Sequence, residues 1–342
     1  MVPVFDSKNK PLMPCTEKRA RKLLEKKQAF CFWKKGIFCI KLLREPSDRQ
    51  YQDVVVGIDV GSKREAYTVT TVKHVVLNIL TNTPDWVKDA VKSRREMRRG
   101  RRFRKTPCRQ NRTNRAIMEL SLGMLAPSTK ARWQTKLRIL NWLSTLYPIT
   151  DVVVEDVKAK TRKTGAYAGS KKWNMSFSPL EVGKTWLYSE IKKFWNLYLV
   201  QGYETKEWRD MAKYKKSSNK LKDCWESHNV DSHVLCEIGL GGCIKPFKKI
   251  LRLEFLHLHR RQLHVLQFAK GGIRKLYGGT RSMGFKRGSW VNHIKHGLCY
   301  IGGTSKERVS LHEMSTGKRL TQTAKPEDCR FLTYATWRMS FI

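Results

Sequence analysis

The sequence predicts a mixed α/β fold followed by a β-rich C-terminal domain. Beyond residue 245 the chain turns to glycine and β-formers, with paired glycines that favour tight turns. An arginine-rich segment at 94–115 separates the third predicted strand from the fourth. Four short β-branched runs upstream are typical of buried strands. They lie at 53–59, 66–72, 74–80 and 151–155.

The first 50 residues predict a small unit made of a helix and a hairpin. Thr16 is a suitable N-cap for a short basic helix over 17–27. Two apolar stretches, 29–33 and 37–43, are separated by Lys-Lys-Gly and predict two strands joined by a turn.

Two amphipathic segments complete the α/β order. The first is predicted as a helix over 127–146, and the second as a helix over 179–199. Both carry tryptophan and aliphatic residues at helical spacing, which we interpret as core-facing positions. Three strands, a helix, a strand and a helix in this order predict one mixed sheet covered by helices.

The charge balance excludes an ordinary metabolic enzyme as the default class. The chain has 342 residues, with 69 Lys and Arg against 29 Asp and Glu, so its formal charge is +40. Its 40% hydrophobic content is enough for a real core, and the excess charge requires a polyanionic partner. Nucleic acid is favoured over a membrane, because the sequence has no lipidation motif, apolar span or signal peptide. A cytoplasmic protein is expected.

The segment 94–115 is the most biased part of the chain, with ten Arg and one Lys against the single acid Glu96. The alternative to nucleic-acid binding is a solvated face, but like charges at this density repel one another unless phosphates lie among them. Gly100 and Pro107 weaken the helix prediction here. The residues expected to bind nucleic acid are Arg94, Arg95, Arg98, Arg99, Arg101, Arg102, Arg104, Lys105, Arg109 and Arg112.

Two carboxylates stand at the ends of apolar strands, where burying an unpaired charge is costly. Asp59 follows the first β-branched run and Glu155 follows the fourth. If these strands are neighbours, both side chains can reach one hard divalent cation such as Mg²⁺. The alternative is that each is a cap or turn residue, which for Asp59 is favoured by the nearby Gly61.

A third acidic element opens the apolar helical pattern after residue 226. His228 and Asp231 are three residues apart and share one helix face. Asp231 could complete a metal cluster and His228 could deprotonate a water, although such a pair alone is a weak signal. Together with Asp59 and Glu155, they form the set that metal-dependent phosphodiester hydrolysis needs, which makes a nuclease the leading hypothesis.

These segments resemble a known family. GIDVG at 57–61, VVVE at 152–155 and HNVD at 228–231 resemble the three split motifs of a RuvC-like nuclease of RNase H fold. RREMRRGRRFR at 94–104 resembles the bridge helix of the transposon-encoded IscB family, and PLMP at 11–14 is similar to its N-terminal motif. Only 72 residues separate Glu155 from His228, which leaves no room for the HNH nuclease of IscB. The chain therefore looks like the HNH-lacking IsrB group.

The resemblance implies a division into six segments. They are a PLMP domain at 1–52, RuvC-I at 53–82, the bridge helix at 83–116, RuvC-II at 117–200, RuvC-III at 201–244 and a C-terminal domain at 245–342, which contacts RNA and the target-adjacent motif. It also implies two Mg²⁺ ions, with Mn²⁺ able to substitute, held by Asp59, Glu155 and Asp231, with His228 as the base.

As partners, the resemblance implies a guide ωRNA and target double-stranded DNA with an adjacent motif. The protein would be a monomer in a prokaryotic ribonucleoprotein, nucleoid-associated when on target, and would nick the displaced strand. Two alternatives remain open. One is an RNA-guided protein that binds DNA without cutting it, and the other is a structure-specific resolvase that uses no guide.

Overall fold

The computed structural model describes most of the chain and divides it into two compact units. The first comprises residues 1–32 and 39–250, and the second comprises residues 33–38 and 251–342. The described residues are 1–46, 49–61, 63–105, 125, 127–156, 179–256, 266–267, 272–273, 281–305 and 307–342.

A four-stranded sheet at the N-terminus confirms the predicted helix and hairpin. Its strands are β1 (Val2–Phe5), β2 (Pro11–Cys15), β3 (Ala29–Lys34) and β4 (Ile37–Leu42), in the order β2-β1-β4-β3. Helix α1 (Glu17–Glu25) lies between β2 and β3, and the Thr16 side chain caps it by accepting from Arg19 N–H. The tip of the β3–β4 hairpin, residues 33–38, belongs to the second unit.

The central sheet of the first unit is mixed, as the sequence predicts. Its strands are β5 (Val54–Asp59), β6 (Arg64–Thr71), β7 (Val75–Asn82), β8 (Asp151–Glu155) and β9 (Asn196–Val200), in the order β7-β6-β5-β8-β9. The first three strands form an antiparallel meander, whereas β8 runs parallel to β5 and β9 parallel to β8. The C-terminal ends of β5, β8 and β9 therefore lie at one edge of the sheet.

Helices cover both faces of this sheet. Those that follow α1 are α2 (Trp86–Lys105), α3 (Pro127–Ser144), α4 (Pro179–Ile191), α5 (Gly202–Met211) and α6 (Trp225–Leu240). On β6, the Thr68 hydroxyl contacts Ser232 of α6 and the Glu65 carboxylate contacts Lys136 of α3. Residues 65 and 68 point to opposite faces of a strand, so α3 and α6 lie on opposite sides. No helix in the described part of the chain is long and apolar enough to cross a membrane.

The predicted helix over 179–199 is wrong beyond Ile191. Helix α4 ends there, and Asn196–Val200 forms strand β9 on the free edge of β8. The Asn196 side chain also donates to Asp151 Oδ1 at 2.9 Å, which fixes the start of the pairing. Backbone pairing with β8 overrides the helical spacing of the apolar residues, as tertiary context commonly does.

The second unit is β-rich, which confirms the prediction for the C-terminal region. Its strands are β10 (Ile250–Phe255), β11 (Leu266–Gln267), β12 (Gly272–Ile273), β13 (Arg281–Ser282), β14 (Phe285–Lys286), β15 (Ser289–His293), β16 (Gly297–Ser305), β17 (Arg308–Glu313), β18 (Arg319–Ala324), β19 (Cys329–Tyr334) and β20 (Trp337–Phe341). The main sheet is antiparallel with the order β18-β17-β16-β15-β19, and Val291, Ile301 and Leu311 lie in its core. Strand β20 pairs antiparallel with β10.

Candidate active site

Asp59 and Glu155 end two neighbouring parallel strands. Ile58 of β5 is in register with Val154 of β8, so the two acids occupy the next position on each strand. Their side chains are hydrogen-bonded to each other. The sequence analysis expected this meeting only if the two strands were neighbours, and the parallel pairing of β5 with β8 fulfils that condition.

Asp231 reaches the same point from helix α6. This helix packs across the sheet beside β5, β6 and β8, and it approaches β5 closely at Gly57. A Cβ atom at position 57 would lie 2.1 Å from the Ser232 carbonyl oxygen and 2.9 Å from Cys236 Sγ. The absence of a side chain at Gly57 therefore lets α6 sit low enough on the sheet for Asp231 to face Asp59.

The charges of the three carboxylates act on one another. Burial, followed by the charges of Glu155 and Asp231, raises the pKa of Asp59 to about 8. Burial and then Asp231 also raise the pKa of Glu155. At neutral pH the Asp59–Glu155 pair therefore retains a proton, which a bound cation would replace.

Basic side chains form ion pairs with both oxygens of the third carboxylate, Asp231. Arg209 Nη1 of α5 lies 2.6 Å from Asp231 Oδ1, and Lys216 Nζ contacts Oδ2. Across the described ranges, no group of three His, Cys, Asp or Glu side chains is arranged to hold a metal ion. The donors themselves suit a hard divalent cation, since all are carboxylate oxygens, and burial followed by their mutual repulsion raises the pKa of Asp59. Asp59 and Glu155 would hold such an ion directly, and Asp231 only after a basic partner moves.

His228 lies one helical turn before Asp231, beside Arg64 and Asp223. Its Nε2 atom is 2.9 Å from Arg64 Nη1, and Arg64 also pairs with Asp223. Because a guanidinium only donates, Nε2 accepts this hydrogen bond. Burial and then the Arg64 charge lower the pKa of His228, so the ring is neutral at physiological pH. A neutral ring is suited to accept a proton, but here its Nε2 lone pair faces Arg64.

The arginine-rich segment is helical as far as Lys105. Helix α2 begins at Trp86, eight residues before the first arginine of the run, and Gly100 does not interrupt it. Arg95, Arg98, Arg99 and Arg102 are exposed, whereas Arg94 is partly buried. Arg101, Arg104 and Lys105 are in the helix, and Arg109 and Arg112 lie outside the described residues.

The sequence interpretation missed several residues that shape the site. Arg209 gave no signal, because a single arginine in an amphipathic helix is ordinary. Lys216 belongs to a stretch, 213–222, with five lysines and no acid, so its charge was visible but its partner was not. Gly202 begins α5 beside Glu155, where a Cβ atom would lie 3.2 Å from Oε1.

The fold and this cluster define a mixed α/β protein with three converging carboxylates. The sequence profile of the RRXRR protein family matches residues 2–172, which is half of the chain. The chain belongs to the RRXRR family. This confirms the part of the resemblance that the arginine-rich signature carries, while the narrower IsrB assignment stays a prediction.

The other comparisons add little. None of the curated proteins matches the chain significantly. Nine solved chains match, among them the crystal structure of the yeast mitochondrial Holliday junction resolvase Ydc2. It is 12% identical, with 58% of this chain and 67% of the resolvase chain covered and a TM-score of 0.23. A similarity this low establishes neither a shared fold nor a shared function.

Proposed function

We propose that this protein is an RNA-guided, metal-dependent DNA endonuclease that nicks the displaced strand of its target. The observation that supports this function is the pairing of Asp59 and Glu155 at the ends of β5 and β8, with the charge of Asp231 acting on both. Carboxylates that repel one another are unfavourable as neighbours unless a cation neutralises them, and this chain of charge +40 has many basic residues that could pair with them singly instead. Binding a divalent cation for phosphodiester hydrolysis explains best why they lie near one another.

Each residue of the carboxylate site is assigned its own role in this proposal. Asp59 and Glu155 would hold the cation at the ends of β5 and β8, and Asp231 would add a ligand from α6. His228, neutral at physiological pH, takes the proton from the attacking water once its ring nitrogen is released by Arg64. A bound divalent cation would supply a lower pKa for that water and would stabilise charge on the leaving oxygen.

The exposed arginines of α2 support a nucleic-acid partner. Arg95, Arg98, Arg99 and Arg102 lie at spacings of one, three and four residues and cover a broad face of the helix. We propose that this face binds guide ωRNA and heteroduplex phosphates, and that base pairing selects the DNA. The β-rich second unit would read the adjacent motif. The protein would act as a monomer in this ribonucleoprotein.

A single nuclease centre is proposed because only 72 residues separate Glu155 from His228 and the described part of that interval is largely helix and strand. Helix α4, strand β9 and helix α5 occupy 179–211 within it. These elements belong to the same unit as the carboxylates, so they are part of the nuclease fold rather than an inserted second nuclease.

The test begins with the RNA that co-purifies with the protein. After that RNA is sequenced, the loaded protein is incubated with Mg²⁺ and a duplex matching its guide, and separately with a scrambled duplex. Cleavage of the matched duplex alone is expected. Binding without cleavage would support a DNA-binding protein instead, and cleavage of branched DNA without RNA would support a guide-free resolvase.

A further inference from the structure

Both oxygens of Asp231 are paired with cations of the protein itself. Arg209 Nη1 lies 2.6 Å from one oxygen and Lys216 Nζ contacts the other. The two basic groups differ in how firmly they are held. The Arg209 side chain is 15% exposed and projects from helix α5, whereas that of Lys216 is 39% exposed and projects from the connection between α5 and α6. Lys216 is therefore the partner that can leave at lower cost, since water solvates it once it is released.

The charge of Lys216 acts on the whole cluster. Burial and the neighbouring carboxylates raise the pKa of Asp59 and of Glu155, and Lys216 opposes this rise for both groups. For His228, burial and Arg64 lower the pKa, and Lys216 lowers it further. One lysine is thus coupled to all four residues that the sequence predicted for the site.

Given the metal-dependent nuclease proposed above, we propose that Lys216 is the internal counter-cation of the carboxylate site and leaves Asp231 when a divalent cation binds. A divalent ion at this point would meet the ammonium group of Lys216 on the same carboxylate, and the two repel each other. Arg209 stays in place and keeps Asp231 oriented, which makes Lys216 a positioning residue rather than a catalytic one.

The surrounding contacts allow the side chain to move without opening the loop. Tyr214 donates to Glu237 at 2.7 Å, and Ser217 N–H donates to the Glu226 carbonyl oxygen at 2.9 Å. These two bonds fix the backbone on either side of residue 216. Rotation of the long lysine side chain into solvent is therefore enough to free Asp231 Oδ2.

Metal binding without nucleic acid tests the exchange. Mn²⁺ is titrated into the protein and the free ion is followed by electron paramagnetic resonance. Lys216→Gln removes the competitor and should bind Mn²⁺ roughly twofold to fivefold more tightly, as expected when one partly exposed ion pair is removed. Lys220→Gln, from the same lysine-rich stretch, is the matched control and should bind like the parent. Unchanged or weaker binding by Lys216→Gln would overturn the exchange.

A second measurement uses the unaltered protein, so it does not depend on how a variant folds. An amine-acetylating reagent is applied with and without Mn²⁺, and the modified lysines are counted by mass spectrometry. The Lys216 rate should rise severalfold with Mn²⁺ while the Lys220 rate stays constant. An acetylation rate of Lys216 that is the same with and without Mn²⁺ would show that the lysine does not leave Asp231. Neither readout needs cleavage, so a protein that exchanges Lys216 for Mn²⁺ but cuts no DNA would refute only the proposed function.

Discussion

The three carboxylates make the sharpest predictions at the scale of single residues. Asp59→Ala, Glu155→Ala and Asp231→Ala should each abolish DNA cleavage, because each removes one of the few proposed metal ligands. RNA binding should stay within about threefold of the parent, since the arginine-rich helix is untouched. Cleavage is measured on an end-labelled matched duplex, with Asp53→Ala as a control for an exposed carboxylate near the start of β5. Normal cleavage by any of the three variants would remove that residue from the site.

The raised pKa of Asp59 predicts a pH-dependent stability in the metal-free protein. Burial and then Glu155 and Asp231 raise the pKa to about 8, against 3.8 for a free aspartate. Between these values the unfolded chain releases a proton that the folded protein keeps, so this group makes the protein less stable as pH rises. In chelator, Asp59→Asn should therefore unfold at a higher temperature than the parent near pH 8. The gap should close towards pH 4, and a constant gap would contradict the raised pKa.

The sequence indicated candidate residues for this site, but it did not indicate which side chains they contact. Asp59 and Glu155 could be paired because two β-branched runs ended in acids, and strand geometry brings such ends together. The pairing of Asp231 with Arg209 and Lys216 could not be predicted, because it depends on how α5 crosses α6. The same holds for Arg64, which follows β5 by five residues and reaches His228 only after the sheet has formed.

At the scale of elements, the close packing of α6 on β5 supports the site. Gly57→Ala should destabilise the protein by about 1–3 kcal/mol, because the added methyl group overlaps the Ser232 carbonyl and forces α6 outward. Cleavage should fall further than stability alone explains, since the shift carries Asp231 away from Asp59. Gly242→Ala is the control, because a Cβ atom there has no neighbour within 4 Å. Stability is measured by chemical denaturation, and cleavage is measured as a rate on the same variants. A Gly57→Ala protein with unchanged stability and an unchanged cleavage rate would contradict this expectation.

Helix α6 also illustrates what sequence cannot supply. Polar residues of an amphipathic helix are usually exposed to solvent, yet Asn229, Ser232, His233 and Glu237 are buried. Asn229 donates to the Ile79 carbonyl oxygen at 3.2 Å, and Glu237 accepts from Trp208 Nε1 at 3.1 Å. Both bonds join α6 to residues distant in sequence, so helical periodicity predicted the helix but not the burial of its polar residues. The reverse failure occurred at β9, where helical spacing concealed an edge strand.

The arginine face of α2 predicts a salt-dependent interaction with nucleic acid. Changing Arg95, Arg99 and Arg102 to Ala should weaken RNA binding and flatten its salt dependence, by about 0.7 to 0.9 in log–log slope for each phosphate that the helix no longer binds. The triple Arg→Lys variant keeps the charges and should keep the slope. Filter binding at several salt concentrations measures both. If the alanine variant has the same salt slope as the parent, the solvated-face interpretation of this helix is favoured instead.

At the scale of the whole molecule, one carboxylate site predicts a nick rather than a double-strand break. A single centre can align one phosphodiester for in-line attack at a time. In a guide-paired complex the target strand is held in the heteroduplex, so the displaced strand is the one free to reach Asp59. RNA-loaded protein with Mg²⁺ should therefore convert supercoiled plasmid to open circles with little linear product. When each strand is end-labelled in turn, only the strand that does not pair with the guide should shorten. Linear plasmid that accumulates as fast as open circle would require a second centre, and cleavage of the guide-paired strand would require a different path into the site.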